Sequence, residues 1–410
     1  MHKKILIAFL TVPVFFACQS NSGLSDNQSI KGIFVDFNQI QTVKKLIHKG
    51  VEDFLPAYNA LIYNAGKAMN EGPFSVMEKL RVPPSGDKHD YLSMGPYWWP
   101  DSSKTGGLPY IRRDGEVNPE TRGANVDTDK KSKMLNNVEI LTWAYYFSGD
   151  DKYAQKAIAL LETWFVNPET RMNPNLQYAQ GIPGICDGRG IGIIDFSRID
   201  KVISPLQILE AHGKLSSESR QRIHEWFDDY LNWLTTSEYG IDEGNTLNNH
   251  ATWYDVQVAG ISLFLGKTEI AKECLEGVKT KRIATQIEPD GSQPKEIART
   301  KSLSYSSMNL RGFTHLANMG QTIGIDLWNY QTADGRGIRK ALDFLLPYIS
   351  GEKRWEHQQI TEIDEALKGL KPDFIVGAVK TGDKRYLDAA KSLSDSGTEL
   401  EILLYPMFSD

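Results

Sequence analysis

From about residue 40 onward, apolar residues return every three or four positions, and this period constrains the chain more than any other feature. Val43, Leu46, Ile47, Val51, Phe54 and Leu55 open the series. At about 3.6 residues per turn they fall on one helix face that must be buried. The same period runs through Met134 to Phe147, Tyr153 to Phe165, Ile199 to Ala211, Ile223 to Leu234, Ala251 to Leu265, Leu303 to Leu316 and Ile338 to Ile349. Val/Ile/Thr-rich alternation bounded by turns is scarce, which argues against a large sheet. No Pro/Ser-rich linker interrupts the chain after residue 40, so the helices are expected to form a single domain over residues 36–410.

A degenerate repeat suggests how the helices are arranged. Phe147-Ser-Gly-Asp-Asp-Lys-Tyr-Ala, Phe264-Leu-Gly-Lys-Thr-Glu-Ile-Ala and Val379-Lys-Thr-Gly-Asp-Lys-Arg-Tyr each read as a helix ending near glycine, a tight charged turn and a new helix. Helix pairs repeated in this way build either an α-solenoid or a closed (α/α) toroid. Degenerate repeats separated by long loops favour the toroid, an all-α fold of roughly 12 to 14 helices. Residues 80 to 125 lack the helical period and are dense in aromatics, including Tyr97, Trp98 and Trp99. A loop this long is either functional or disordered, and its aromatic content argues against disorder.

The first residues stand apart. Met1-His2-Lys3-Lys4 is followed by a nearly unbroken apolar run from Ile5 to Ala17, too short for a comfortable membrane span, and then by Cys18 and a polar stretch. A small residue before cysteine at the end of such a run reads as a lipoprotein-type signal over residues 1–18, with Cys18 lipidated and 19–35 a flexible tether. The alternative is an ordinary signal with an incidental cysteine. The expectation is an exported protein, periplasmic or attached to the outer membrane, touching membrane only through its lipid. Cys186 and Cys274 do not make a disulfide framework. The net charge of −6 argues against nucleic acid as a partner. It leaves room for an anionic substrate, because a local basic cleft can focus an attractive field in an acidic protein.

Two segments carry chemistry. Asn248-Asn249-His250-Ala-Thr-Trp253-Tyr254-Asp255, if it opens a helix, places His250, Trp253, Tyr254 and Gln257 on one face with Asn249 at the N-terminal end. Taken alone, the Asn-His pair reads rather as a capping asparagine before a core histidine. Glu296-Ile-Ala-Arg299-Thr-Lys301-Ser-Leu-Ser-Tyr305 taken alone reads as a basic face with one packed tyrosine. Together they hold the parts for β-elimination from a uronate: groups to neutralise the C6 carboxylate, to take the C5 proton and to protonate the leaving oxygen. Asn249 and His250 suit the first task. Tyr305 suits the proton transfers if a cation such as Arg299 lowers its pKa from the usual value of about 10. Lysine and arginine outnumber acids seven to three between Lys279 and Arg311, which suits a polyanion.

Asn-Asn-His-x-x-Trp-Tyr, followed about fifty residues later by Arg-Thr-x-Ser-x-x-Tyr, resembles the alginate-lyase family of (α/α)-toroid polysaccharide lyases. The Lys-His-Asp-Tyr, Pro-Tyr-Trp-Trp-Pro and Gly-Leu-Pro-Tyr-Ile-Arg-Arg-Asp-Gly segments resemble its lipoprotein-type members in Bacteroidota. The likeness runs from about Lys88 to Leu316. It implies an active site of Asn249, His250, Tyr305 and Arg299, a polyuronate substrate, and no metal or other cofactor. It also implies tyrosine as base and acid toward mannuronate, and histidine as the base toward guluronate. Alginate is the expected polymer and glucuronan the alternative.

Tyr97, Trp98 and Trp99 are candidates for stacking on sugar rings, and Lys88 and His89 for meeting a carboxylate. Adjacent Trp98 and Trp99 cannot face one site from extended chain, so one of them is expected to pack. Tyr254, on the His250 face, joins the substrate-binding candidates. Arg189, in a glycine-rich loop from Gln180 to Asp195, is either a carboxylate ligand or structural. The Gly-Lys-Thr ending at Thr268 and the Gly188-x-Gly190-x-Gly192 run lack the context of nucleotide sites, and no Cys/His cluster has metal spacing. Two rivals of other classes stand beside the lyase: a toroidal glycoside hydrolase using two of Asp187, Asp195 and Asp255, and a non-catalytic surface glycan-binding lipoprotein.

Overall fold

The computed structural model describes residues 30–393 and 399–406. The chain begins with α1 (Phe37–His48), α2 (Leu55–Ala68), α3 (Thr128–Ser148), α4 (Asp151–Leu161), α5 (Asp200–Ala211) and α6 (Ser217–Thr236). It continues through α7 (Glu238–Gly244), α8 (Asn249–Phe264), α9 (Thr268–Val278), α10 (Ala284–Gln286), α11 (Pro294–Ile297) and α12 (Ser302–Thr322). It ends with α13 (Ile338–Ile349), α14 (Ile363–Lys368), α15 (Lys371–Thr381), α16 (Lys384–Ser392) and α17 (Glu399–Leu404). Five of these seventeen helices have seven residues or fewer, which leaves twelve long ones among the described residues.

The helices close into a ring. Passing from neighbour to packed neighbour, α2 meets α3, α3 meets α5, α5 meets α8, α8 meets α12, α12 meets α15, α15 meets α17, and α17 returns to α2. The partners α4, α9 and α16 pack outside α3, α8 and α15. The sequence explains the two layers. In α8, apolar and small residues surround the helix, and twelve of its residues from Asn249 to Ser262 are buried. Helices apolar all round belong inside. In α9 only Ala271, Leu275 and Val278 are buried, one stripe at three- and four-residue spacing, so its other face meets solvent.

The repeated turns are built as their sequences suggest. Gly149, Gly266 and Gly382 adopt left-handed φ of 74°, 73° and 70°, where a side chain would be strained. Asp150 and Asp383 then cap α4 and α16 by accepting from the backbone N–H groups of Lys152 and Arg385. The aromatic stretch contains β1 (Leu92–Met94), β2 (Trp98–Trp99) and β3 (Ile111–Arg112). β2 pairs antiparallel with β3, and β1 pairs parallel with β4 (Tyr178–Gly181).

One boundary is corrected. The expected tether over 19–35 includes Ile33 and Phe34, which are 6% and 1% exposed. The Phe34 ring meets His315 edge-on at 5.5 Å, and its carbonyl accepts from the Tyr405 hydroxyl at 3.2 Å. Gly260 of α8 makes room, since a Cβ there would lie 2.7 Å from the Phe34 ring. The segment is thus part of the core, whereas Cys18 and the rest of residues 1–29 lie outside the described residues. Phe34→Ala should cost about 3–5 kcal/mol of unfolding free energy in urea denaturation. A loss below about 1 kcal/mol would return residues 30–35 to the tether.

Candidate active site

Two inner helices begin at the same end of the ring. Asn248 caps α8, its side chain accepting from the His250 N–H at 3.3 Å, so Asn249 and His250 occupy the first turn. Tyr305 lies in the first turn of α12. Both turns line one cavity of about 840 Å³, within the size range of ligand sites. The aromatic loop contributes Tyr97, Trp98 and Arg112 to its wall, and the glycine-rich loop contributes Gln180 and Arg189. The positive ends of both helix dipoles face this space.

A buried carboxylate links the two segments. Glu296, 1% exposed, accepts from the backbone N–H and the side-chain amide of Asn249, each at 2.7 Å. Burial raises the Glu296 pKa, and the Asn249 hydrogen bonds offset part of that rise. His250 Nδ1 lies 2.8 Å from an oxygen of Glu243, which is fully buried.

Arg299 joins the remaining parts. Its guanidinium donates to both oxygens of Asp114 and, at 2.9 Å, to the Tyr305 hydroxyl. The Tyr305 hydroxyl donates in turn to that of Tyr97 at 2.8 Å. Burial would raise the Asp114 carboxyl, but hydrogen bonds from Arg299 and Thr300 hold it well below the usual carboxylate range. The expectation for Tyr305 is corrected: its phenol is pushed well above its ordinary value by burial and by Tyr97, and Arg299 offsets only part of the rise. The resting side chain is a protonated phenol.

Asn249, His250, Arg299 and Tyr305 therefore share one cavity with Tyr97, Trp98 and Arg189. Four expected binding residues do not line it. Lys88 donates to the Met77 carbonyl at 3.4 Å and His89 Nδ1 to the Arg171 carbonyl at 2.6 Å, so both tie down the turn before β1. Trp99, pointing away from Trp98 on the extended strand, donates to the Glu116 carbonyl and lies beneath Arg113. Tyr254 sits one turn inside the ring, packs on Gly244 and donates to the Leu234 carbonyl at 3.0 Å. Arg189 combines its two readings. It donates to the carbonyl and side-chain oxygen of Gln180 while facing the cavity, and Gln180 is held at a positive φ of 50°, a strained setting for a non-glycine residue.

The sequence pattern gives Glu243 no role, and it marks Asp114, Gln180 and Lys295 only as members of a loop or a basic stretch. Glu296, Lys301 and Arg112 stood inside segments already singled out, but nothing in their spacing indicated their partners.

The cation-rich cavity thus stands at one end of an all-α toroid. The sequence profile described as alginate lyase matches residues 75–355, and the chain belongs to that family. The crystal structure of an alginate lyase from Bacteroides ovatus is similar, with 37% identity over 92% of this chain and 99% of that one, at a TM-score of 0.87. Alginate lyase A1-III from Sphingomonas species A1 shares the fold at 17% identity, covering 93% of this chain and 97% of its own, with a TM-score of 0.58. Among curated proteins, none matches. The enzyme is a polysaccharide lyase.

Asp114 is only partly buried, so Asp114→Asn should fold normally by thermal melting. Freed from its bidentate partner, Arg299 should leave Tyr305, and kcat should fall roughly tenfold to a hundredfold. Unchanged kcat in a steady-state lyase assay would show that Arg299 does not depend on this pair.

Proposed function

We propose that the protein cleaves a 4-O-linked polyuronate, alginate foremost, by β-elimination in this cavity, leaving 4,5-unsaturated uronate ends. The observation that carries this reading is the charge of the wall. Arg112, Arg189, Lys295, Arg299 and Lys301 line the cavity, and no aspartate or glutamate among the described residues does. Such a wall attracts a chain bearing one carboxylate per sugar. It also lacks the two carboxylates with which a glycoside hydrolase flanks its bond. The three candidates for that role are elsewhere: Asp187 lines a different cavity, Asp255 is paired with the buried Arg282, and Asp195 accepts from Tyr91, Ser93 and Gln180.

In the elimination the C5–H bond breaks, its electron pair forms the C4=C5 double bond, and the C4–O4 bond breaks as the leaving oxygen takes a proton. Asn249 and His250, at the positive end of α8, are placed to meet the substrate carboxylate as charge builds on it. Tyr305, protonated at rest, suits donation to the leaving oxygen. For the epimer whose C5 hydrogen faces α8, His250 Nε2 takes that proton while Tyr305 gives its own to the leaving oxygen; for the other, Tyr305 first loses its proton to solvent, then takes the C5 proton beside Arg299 and hands it to the leaving oxygen.

Incubation with polymannuronate, polyguluronate, mixed alginate and glucuronan should release ultraviolet-absorbing unsaturated ends from the alginates. No such ends from any polyuronate would remove the reading. Tyr305→Phe should lower kcat by about 10²–10⁴-fold while polymer binding, measured by calorimetry, stays within a few-fold.

The first eighteen residues support an exported, lipid-anchored enzyme. Cys18→Ser should then move the protein from the membrane fraction to the soluble fraction of cells. Retention in the membrane fraction would remove Cys18 from that role.

A further inference from the structure

Glu243 is a costly residue for a structural purpose. Its side chain is fully buried, Oε1 meets only His250 Nδ1, and Oε2 has no hydrogen-bond partner among the described residues. A buried carboxylate with an unsatisfied oxygen destabilises a fold, so its presence calls for a reason other than stability.

The short helix that carries it, α7, is anchored on both sides of Glu243. Ser237 caps α7 by accepting from the Gly240 N–H at 3.0 Å. Gly240 presses against the Leu234 carbonyl so closely that a Cβ would overlap it. Arg282, itself paired with Asp255, donates to the Gly244 carbonyl at 2.7 Å, and the Tyr254 ring lies over Gly244. These contacts fix the helix from which the Glu243 side chain reaches His250.

Burial raises the Glu243 carboxyl, and His250 offsets part of that rise. In its ionised form the carboxylate only accepts, so the imidazole nitrogen facing it carries the hydrogen. His250 Nδ1 is then the protonated nitrogen, and Nε2 is the atom left for the cavity that His250 lines. With the backbone N–H of His250 tied to Asn248, the ring is held at both its root and its edge. A carboxylate behind an imidazole also stabilises the imidazolium formed when the opposite nitrogen takes a proton.

We propose that Glu243 is a positioning residue for the elimination, fixing the tautomer and ring orientation that present His250 Nε2 to the sugar. This rests on the lyase reading above. The test uses the full-length protein and Glu243→Gln, a substitution of the same shape and no charge. In ¹⁵N spectra of histidine-labelled wild type, with His250 assigned by its loss in His250→Asn, Nδ1 should carry the proton at neutral pH. Glu243→Gln should melt within a few degrees of wild type and show a mixed tautomer population. On the polymer that wild type cleaves best, its kcat should fall at least about tenfold with KM within about twofold.

A wild-type spectrum with bare Nδ1 and protonated Nε2 would overturn the proposal, whether or not the variant folds. Wild-type kcat and tautomer in a folded Glu243→Gln would overturn it while leaving the lyase reading intact. Failure of wild type to cleave any polyuronate would instead strike the lyase reading, and the spectra would still decide the tautomer.

Discussion

The clamp between Glu296 and Asn249 is the contact on which the site depends. One carboxylate takes the first backbone N–H of α8 and the side-chain amide of the same residue, so the approach to α12 is fastened to the start of α8. Without it, two segments 47 residues apart would each end in an ordinary helix terminus. The first turn of an α-helix has N–H groups with no partner inside the helix, and a carboxylate placed there satisfies them and favours the dipole. The fold uses that general need to set the distance between the asparagine–histidine pair and the tyrosine.

The same device recurs around the cavity. Glu296 stands behind Asn249, Glu243 behind His250, and Asp114 behind Arg299, so acids that would repel a polyanion sit one layer back. From that layer they orient the groups that face the cavity. Lys295 and Lys301 make no ion pair among the described residues, and Arg189 is held by amide and carbonyl oxygens, so their charge remains available. A second cavity, of about 400 Å³, shows the contrast. It is lined by Arg198, Lys201 and Arg311, and these pair with Asp200, Glu139 and Asp373. Cations neutralised in this way hold helices together and attract no ligand of one sign.

The helices, their pairing and the ring were legible because burial imposes a period on every turn, and the repeated glycine turns mark where each pair reverses. The two segments with Asn249, His250, Arg299 and Tyr305 were legible because together they hold an amide, an imidazole, a guanidinium and a phenol, the groups one elimination needs. What escaped was whatever depends on pairs distant in sequence. Asp114 and Arg299 are 185 residues apart, and no local pattern marks a loop aspartate as the partner of a helix-end arginine. Tyr254 was misplaced because sharing a face does not mean sharing a depth: one turn on, a side chain is about 6 Å further into the ring. Lys88 and His89 were misplaced because charge near aromatics describes a binding loop and a well-anchored turn equally well.

The protonation of Tyr305 ties these strands together. A wall built to hold a polyanion gains nothing from a resting phenolate, which would repel the carboxylate it must meet. Burial and Tyr97 keep the phenol neutral, whereas Arg299, though close enough to lie over the ring at 3.8 Å, shares its charge with Asp114. On the proposed reaction, Arg299 therefore serves less to create a phenolate beforehand than to steady negative charge while the proton is in flight. Charge appears on the oxygen only as it leaves the sugar, and a guanidinium already in place answers it without rearrangement. Asp114 thus has a double effect, lowering the pull of Arg299 at rest and fixing its position for the moment of transfer.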